Sequence, residues 1–228
     1  LVMANTQRVL YIHGLEGGPG TTKPTLLQNK FKEVSVPKMP LKNTIMRGKL
    51  SFVGISLGLL AGCGAVKFFF SLQKSSFFLF FAYFFSVFYT YKYMKKLIVR
   101  KMYSASIEIQ KKEIENFKPD IVVGSSWGGA VAVGCVAEGI WDGPTLLLAP
   151  ATSVVAKAMG TREIRLPATC RMKIFHGDAD TVIPLKNSLD FIKQNSHVKL
   201  VVCTGEDHRL IRTATQRLHE EIISFTNG

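Results

Sequence analysis

The chain has 228 residues, of which 47% are hydrophobic, so it is long and apolar enough to bury the core of one or two domains. Its formal net charge of +13 would suit a nucleic-acid partner, but residues 42–112 hold twelve lysines and arginines against one acid, Glu108. These basic residues flank a block from Phe52 to Phe88 that contains eleven of the sixteen phenylalanines. The pattern argues against nucleic acid and favours an anionic lipid surface as the partner of the basic residues.

Outside a block at 45–101, short apolar strands alternate with helical patterns, which is typical of βαβ units and a parallel sheet. In chain order the predicted elements are strand 8–13, a glycine-rich turn 14–20, helix 24–32, strand 34–36, helix 103–117, strand 121–124, helix 128–137, strands 145–149 and 172–176, helix 185–194, strand 198–203 and helix 210–225. We therefore predict an α/β fold whose mostly parallel sheet is flanked by helices. Residues 1–44 and 102–228 form its discontinuous domain, and 45–101 are an insertion.

The insertion carries two long apolar runs. Leu50–Phe70 contains one charge, Lys67, and Phe77–Tyr91 contains none, so each run approaches the length of a membrane-spanning helix. Both ends of the insertion continue into one sheet and must lie on the same side of a bilayer. We predict a membrane-associated helical hairpin, with the sheet domain on the cytoplasmic side because both flanks are basic. The alternative is a hydrophobic lid or a hairpin buried in the core.

The run Gly124-Ser125-Ser126-Trp127-Gly128 matches the pattern G-x-S-x-G. It lies between a predicted strand and a predicted helix, which is the context of a serine nucleophile on a sharp turn. Small residues at Gly124 and Gly128 let the backbone bend tightly enough to lift the Ser126 hydroxyl above the sheet edge. We predict that Ser126 is a catalytic nucleophile.

Two later loops supply the partners that such a serine needs. Asp180 follows the strand that ends at His176, and His208 follows the next predicted strand, so the three residues occur in the order Ser, Asp, His. His208 is the predicted general base and then acid, and Asp180 the carboxylate that orients it. Asp178 is an alternative for the carboxylate; otherwise it caps the loop, as Asp near turns often does.

The glycine-rich run His13–Gly20 follows the first strand and has two interpretations. It lacks the Lys-Ser/Thr ending and the G-x-G-x-x-G spacing of nucleotide-binding loops, so we predict no cofactor there. The cysteines show no metal-ligand spacing, and no metal is predicted. The run instead supplies half of an oxyanion hole: the N–H of Leu15 joins that of Trp127, the residue after the nucleophile.

These motifs resemble the α/β-hydrolase superfamily, and within it the small lidless bacterial esterases called YqiA. The likeness is densest in four stretches: Val9–Gly14, Lys23–Leu27, Ile121–Gly129 and Gly205–His208. The resemblance implies a carboxylesterase-like α/β-hydrolase fold, with Ser126, Asp180 and His208 in the catalytic roles.

We predict a membrane-anchored serine hydrolase that cleaves carboxylic ester or thioester bonds. The insertion leaves the chain beyond strand 34–36, at the carboxyl edge of the sheet where α/β active sites lie, which favours lipid or acyl substrates. The alternative is a membrane-anchored scaffold or binding protein that keeps the fold without efficient chemistry. A peptidase is a further alternative, but nothing in the sequence specifies an amide over an ester.

Overall fold

A computed structural model describes residues 5–41, 45, 46, 50–58, 60, 76–161 and 164–227. Its sheet has six parallel strands: β1 Asn5–Ile12, β2 Phe31–Ser35, β3 Ile121–Ser125, β4 Thr145–Leu148, β5 Met172–Gly177 and β6 Lys199–Cys203. The helices with defined bounds are α1 Thr22–Gln28, α2 Ser76–Phe117, α3 Trp127–Ala137, α4 Thr152–Met159, α5 Lys186–Gln194, α6 Ile211–Gln216 and α7 Leu218–Asn227.

The strand order is β2-β1-β3-β4-β5-β6, so the order reverses between β1 and β3. In open α/β sheets, the carboxyl ends of the strands at such a reversal form a crevice that binds ligands. Ile12 of β1 is in register with Gly124 of β3, which places the loops that follow the two strands side by side. The fold therefore has a natural site beside the residues that follow Ile12 and Ser125.

The centre of the sheet is buried on both faces, as covered parallel sheets are. Every residue of β3 is buried, and so are ten of the eleven residues of α3, which packs against β3. This explains why the sequence of α3, Trp-Gly-Gly-Ala-Val-Ala-Val-Gly-Cys-Val-Ala, has no polar face. The strand and the helix that present the predicted nucleophile are thus almost completely buried.

The predicted alternation of strands and helices is confirmed, and the main differences concern the ends of elements, one additional helix and the length of α2. Helix α1 ends at Gln28 rather than residue 32, and β2 begins at Phe31. The closing helix is two helices, α6 and α7, which meet at Arg217. Helix α4 was not predicted at all, because its eight residues are too few for a periodic pattern to stand out. Finally, α2 joins the second apolar run and the predicted helix 103–117 into one helix of 42 residues.

The chain divides into two compact units, 1–39 with 103–228 and 40–102. The first contains the whole sheet and the last part of α2. In the second, residues 50–58 are helical, and the ring of Phe52 meets that of Tyr91 edge to face with centroids 5.4 Å apart. That residues 45–101 are an insertion into one catalytic domain stays a prediction.

The predicted membrane hairpin is not supported. Within the described ranges, no helix combines the length and the apolar character that a membrane crossing needs. In α2 the uncharged run covers residues 76–91, which is shorter than the roughly 20 apolar residues of a typical span. In the other apolar run, Leu50–Phe70, residues 59 and 61–70 lie outside the described residues. Two further predictions depended on these two membrane-spanning helices: a multi-pass protein with its sheet domain in the cytoplasm, and a lipid partner. Both lose the support of the predicted crossings.

Candidate active site

Ser126 lies on a strained turn between β3 and α3. Its φ of 54° and ψ of −115° are values that residues other than glycine rarely adopt, at a cost on the order of 1–3 kcal/mol. Hydrogen bonds hold it there: its N–H donates to the carbonyl of Leu148 at 2.9 Å, and its carbonyl accepts from Gly129 at 3.0 Å and Ala151 at 2.9 Å. This is the geometry of a nucleophile elbow.

The two glycines that flank the elbow are required by close backbone approach. A Cβ on Gly128 would lie 2.0 Å from the carbonyl oxygen of Ile12, and one on Gly124 would lie 2.7 Å from the carbonyl oxygen of Gly128. Neither contact can be relieved by moving a flexible side chain, because both involve main-chain atoms. The expectation that small residues are needed on both sides of Ser126 therefore has a direct structural reason.

Gly128→Ala is expected to lower the free energy of unfolding by about 3 kcal/mol or more, because the new methyl group would overlap the main chain of β1. Urea unfolding followed by circular dichroism measures this. Gly20→Ala is the matched control: a Cβ there meets nothing within 4 Å, and a change within about 0.5 kcal/mol is expected. Equal midpoints for the two variants would contradict the close approach.

Asp180, His208 and Ser126 form a continuous chain of hydrogen bonds. His208 Nδ1 lies 2.7 Å from Asp180 Oδ2, and His208 Nε2 lies 3.0 Å from Ser126 Oγ. Since a carboxylate can only accept, Nδ1 carries the proton and Nε2 accepts from the serine hydroxyl. The other oxygen, Asp180 Oδ1, accepts from the N–H groups of Val182 at 2.9 Å and Ile183 at 2.8 Å. The carboxylate is fully buried and the imidazole 20% exposed.

Asp178, the alternative carboxylate, has a different position. Its Oδ1 accepts from the N–H of Gly205 at 2.7 Å, so it links the loop after β5 to the loop after β6. Gly205 has a φ of +70°, which an L residue would adopt only with strain, and begins the turn that leads to His208. Asp178 thus supports the histidine loop, and Asp180 is the carboxylate that contacts the imidazole.

His176 is a contact of the carboxylate that the sequence analysis did not anticipate. Its side chain is fully buried, and its Nε2 lies 2.7 Å from the carbonyl of Ile183 and 3.3 Å from Asp180 Oδ2. Its Nδ1 lies 2.7 Å from Ser188 Oγ. Because a carbonyl only accepts, Nε2 carries the proton, and the Ser188 hydroxyl donates to Nδ1. His176 therefore helps to hold the acid loop in place, through the carbonyl of Ile183 and through the same Asp180 oxygen that contacts His208.

The two predicted oxyanion donors belong to segments that lie next to the nucleophile: Leu15 to the loop after β1, and Trp127 to the start of α3. Trp127 is the residue directly after Ser126, and its indole N–H reaches Ser106 of α2 at 3.3 Å. A Cβ on Gly14 would lie 3.2 Å from Ser126 Cβ, so the loop that contains Leu15 passes beside the serine. The assignment of the N–H groups of Leu15 and Trp127 to an oxyanion hole stays a prediction that fits this placement.

No protein-family model and no curated protein matches the chain. Solved structures are similar to it. Est1E from Butyrivibrio proteoclasticus superposes with a TM-score of 0.57 at 14% identity, over 100% of this chain and 91% of that one. A protein described as a hydrolase of the alpha/beta superfamily, from Xanthomonas campestris, gives 0.55 at 17% identity, over 96% and 99%.

The chain has the α/β-hydrolase fold. A third structure agrees: TT1662 from Thermus thermophilus gives a TM-score of 0.53 at 13% identity, over 99% of this chain and 91% of that one. Est1E has also been solved with ferulic acid bound, again at 0.57 and 14%, over 98% and 91%. Identities this low describe the fold, so the activity has to be argued from the site.

Proposed function

We propose that this protein is a serine hydrolase that cleaves carboxylic esters or acyl thioesters through an acyl-enzyme intermediate. The hydrogen-bonded chain from Ser126 through His208 to Asp180, at 3.0 and 2.7 Å, is the observation that carries the proposal. It stands at the point of the sheet where α/β folds bind ligands, on a turn whose strain has no evident structural purpose. The resemblance to YqiA-like esterases favours an ester over an amide.

In the first half-reaction, Ser126 Oγ attacks the carbonyl carbon while its proton moves to His208 Nε2. The carbonyl electron pair moves onto oxygen, where the N–H groups of Trp127 and Leu15 bind the developing charge. Asp180 keeps the proton of Nδ1 in place and stabilises the imidazolium. When the tetrahedral intermediate collapses, the bond to the alcohol or thiol breaks and the leaving group takes the proton from Nε2.

The second half-reaction repeats these steps with water. His208 Nε2 removes a proton from a water molecule as its oxygen attacks the acyl carbon. Collapse of the second intermediate releases the carboxylic acid and returns the proton to Ser126 Oγ. With a side chain that is 20% exposed, His208 meets solvent on one side, so water can reach it without any movement of the fold.

Exposed apolar side chains that follow three of the strand ends support an apolar acyl group. Leu15 is 42% exposed, Val182 64% and Ile211 43%, and they follow β1, β5 and β6 at the carboxyl edge of the sheet. An acyl chain or aromatic ring that covered them would remove apolar surface from water. The carboxylic acid bound to Est1E, ferulic acid, is of this type. We propose an apolar acyl ester or thioester as the substrate class.

A fluorophosphonate probe tests the reaction type, because an activated serine displaces fluoride from phosphorus and becomes labelled. We expect one labelled peptide, with the phosphonate on Ser126, and protection by an excess of p-nitrophenyl butyrate. The specificity constant, kcat/KM, over p-nitrophenyl esters and acyl thioesters of increasing length tests the substrate class and should rise from acetyl to longer chains. Absence of labelling on the folded protein would favour a binding or scaffold role instead.

A further inference from the structure

Lys23 is half-buried beside the candidate active site. Its Nζ donates to the Ser125 hydroxyl at 3.1 Å, across 102 residues of sequence. Ser125 is the last residue of β3 and directly precedes the nucleophile. Removing an ammonium ion even partly from water is costly, so a half-buried lysine at such a place is usually paired. Its position therefore calls for an explanation beyond stability.

The charges that attract Lys23 belong to the loops of the other two triad residues. Its ammonium is attracted electrostatically by the carboxylates of Asp207, Glu206 and Asp180. The first two occupy the two positions before His208 in the chain. Burial lowers the pKa of Lys23 to about 8, and these three carboxylates offset part of that decrease. Lys23 thus contacts the strand that presents Ser126 and attracts the loop that presents His208.

Other groups around Lys23 are neutral, exposed or paired elsewhere. Tyr11 of β1 shares a hydrogen bond with Ser125, and burial raises its pKa above the usual range, so its hydroxyl stays neutral. Helix α1 packs on β2, whose charged side chains, Lys32 and Glu33, are exposed. It also packs on α6, where Arg212 Nε lies 3.8 Å from Glu206 Oε1.

We propose that Lys23 is a positioning residue that holds the elbow strand against the histidine loop, and that loss of its proton sets the alkaline limit of the reaction. This inference rests on the proposed function. When the ammonium becomes neutral, the attraction to Glu206 and Asp207 disappears, and the 3.0 Å approach of His208 Nε2 to Ser126 Oγ loses a restraint. Small displacements of this kind reduce turnover with little effect on substrate binding.

The sign of the pH effect follows from the charge. Raising the pH through about 8 removes the proton of Lys23, so kcat of the wild type should fall there while KM stays constant. Arginine keeps its charge throughout this range, so Lys23→Arg should retain wild-type kcat at pH 7 and lose the fall near pH 8. Lys23→Met should lower kcat on the order of tenfold at pH 7 and show no fall near pH 8.

The experiment measures kcat and KM for an ester from pH 6 to 10 on the full chain, with Lys30→Met as the control. Lys30 is an exposed lysine just beyond the same helix, and its variant should keep the wild-type profile. Thermal melting separates positioning from unfolding: because burial disfavours the ammonium, Lys23→Met should melt no lower than the wild type.

The inference is wrong if Lys23→Met keeps the kcat and alkaline limb of the wild type, or if Lys23→Arg keeps the fall near pH 8. That result can be told apart from failure of the proposed function. If the protein is not a serine hydrolase, the wild type itself shows no fluorophosphonate labelling at Ser126. If only the inference fails, labelling at Ser126 persists and the lysine variants behave like Lys30→Met.

Discussion

Ser126→Ala is expected to abolish fluorophosphonate labelling and to lower kcat for ester hydrolysis on the order of a million-fold, because alanine cannot form the acyl-enzyme. Ser126 Oγ lies 3.0 Å from His208 Nε2. The neighbouring Ser125 does not replace it as nucleophile, because the Ser125 hydroxyl accepts a hydrogen bond from Lys23. Steady-state hydrolysis of a p-nitrophenyl ester and gel-based labelling measure the two effects.

Ser153→Ala is the control for the loss of a serine hydroxyl elsewhere at the same edge of the sheet. Ser153 lies in α4, and its hydroxyl donates a long hydrogen bond of 3.5 Å to the carbonyl of Asn187. We expect its kcat to stay within a few-fold of the wild type. If Ser126→Ala retained more than about one hundredth of wild-type turnover, another residue would have to be the nucleophile.

Asp180→Asn is expected to lower kcat about ten-thousand-fold with little effect on KM. Oδ1 accepts from the N–H groups of Val182 and Ile183, so the asparagine oxygen keeps that place and its NH2 group faces His208. An NH2 group donates and cannot accept from Nδ1–H, so the imidazole adopts the other tautomer and Nε2 no longer accepts the serine proton. The pH dependence of kcat, measured with thermal melting as a check on folding, tests this.

Asp178→Asn is the matched control, because it changes the same group two residues away. Its Oδ1 can still accept from the N–H of Gly205, so the loop should be retained and kcat should fall by no more than a few-fold. A loss of activity in Asp178→Asn as large as that in Asp180→Asn would show that the histidine depends on both carboxylates. A larger loss would transfer the proposed role to Asp178.

The members of the candidate triad could be predicted because each follows a strand end. Apolar runs ending before Ser126, Asp180 and His208 indicate where strands stop, and parallel strands bring those ends to one edge of a sheet. The glycines around the elbow add a local requirement for close backbone approach. The choice between Asp178 and Asp180 as the histidine's contact could not be made in the same way, because both belong to one loop.

Other features depend on contacts between distant parts of the chain. Nothing near Lys23 in sequence indicates that its ammonium ends beside Ser125, and the pairing of His176 with Asp180 depends on how the acid loop folds back. The membrane hairpin was predicted from two apolar runs, their basic flanks and the fact that both ends of the insertion continue into one sheet. In the described residues, the second run is the first part of α2, whose last part belongs to the unit that contains the sheet, where Ser106 accepts a hydrogen bond from Trp127.

Local pattern was therefore sufficient for the alternating strands and helices, the strained turn at Ser126 and the set of candidate catalytic side chains. Each of these depends on residues within a few positions of one another, where periodicity and glycine content have direct physical effects. Only the folded chain shows that His208 contacts Ser126, that Lys23 is partly removed from water and how far α2 extends. Such distances and burial depend on how segments that are far apart in the sequence pack together, and neither composition nor motif spacing determines that packing.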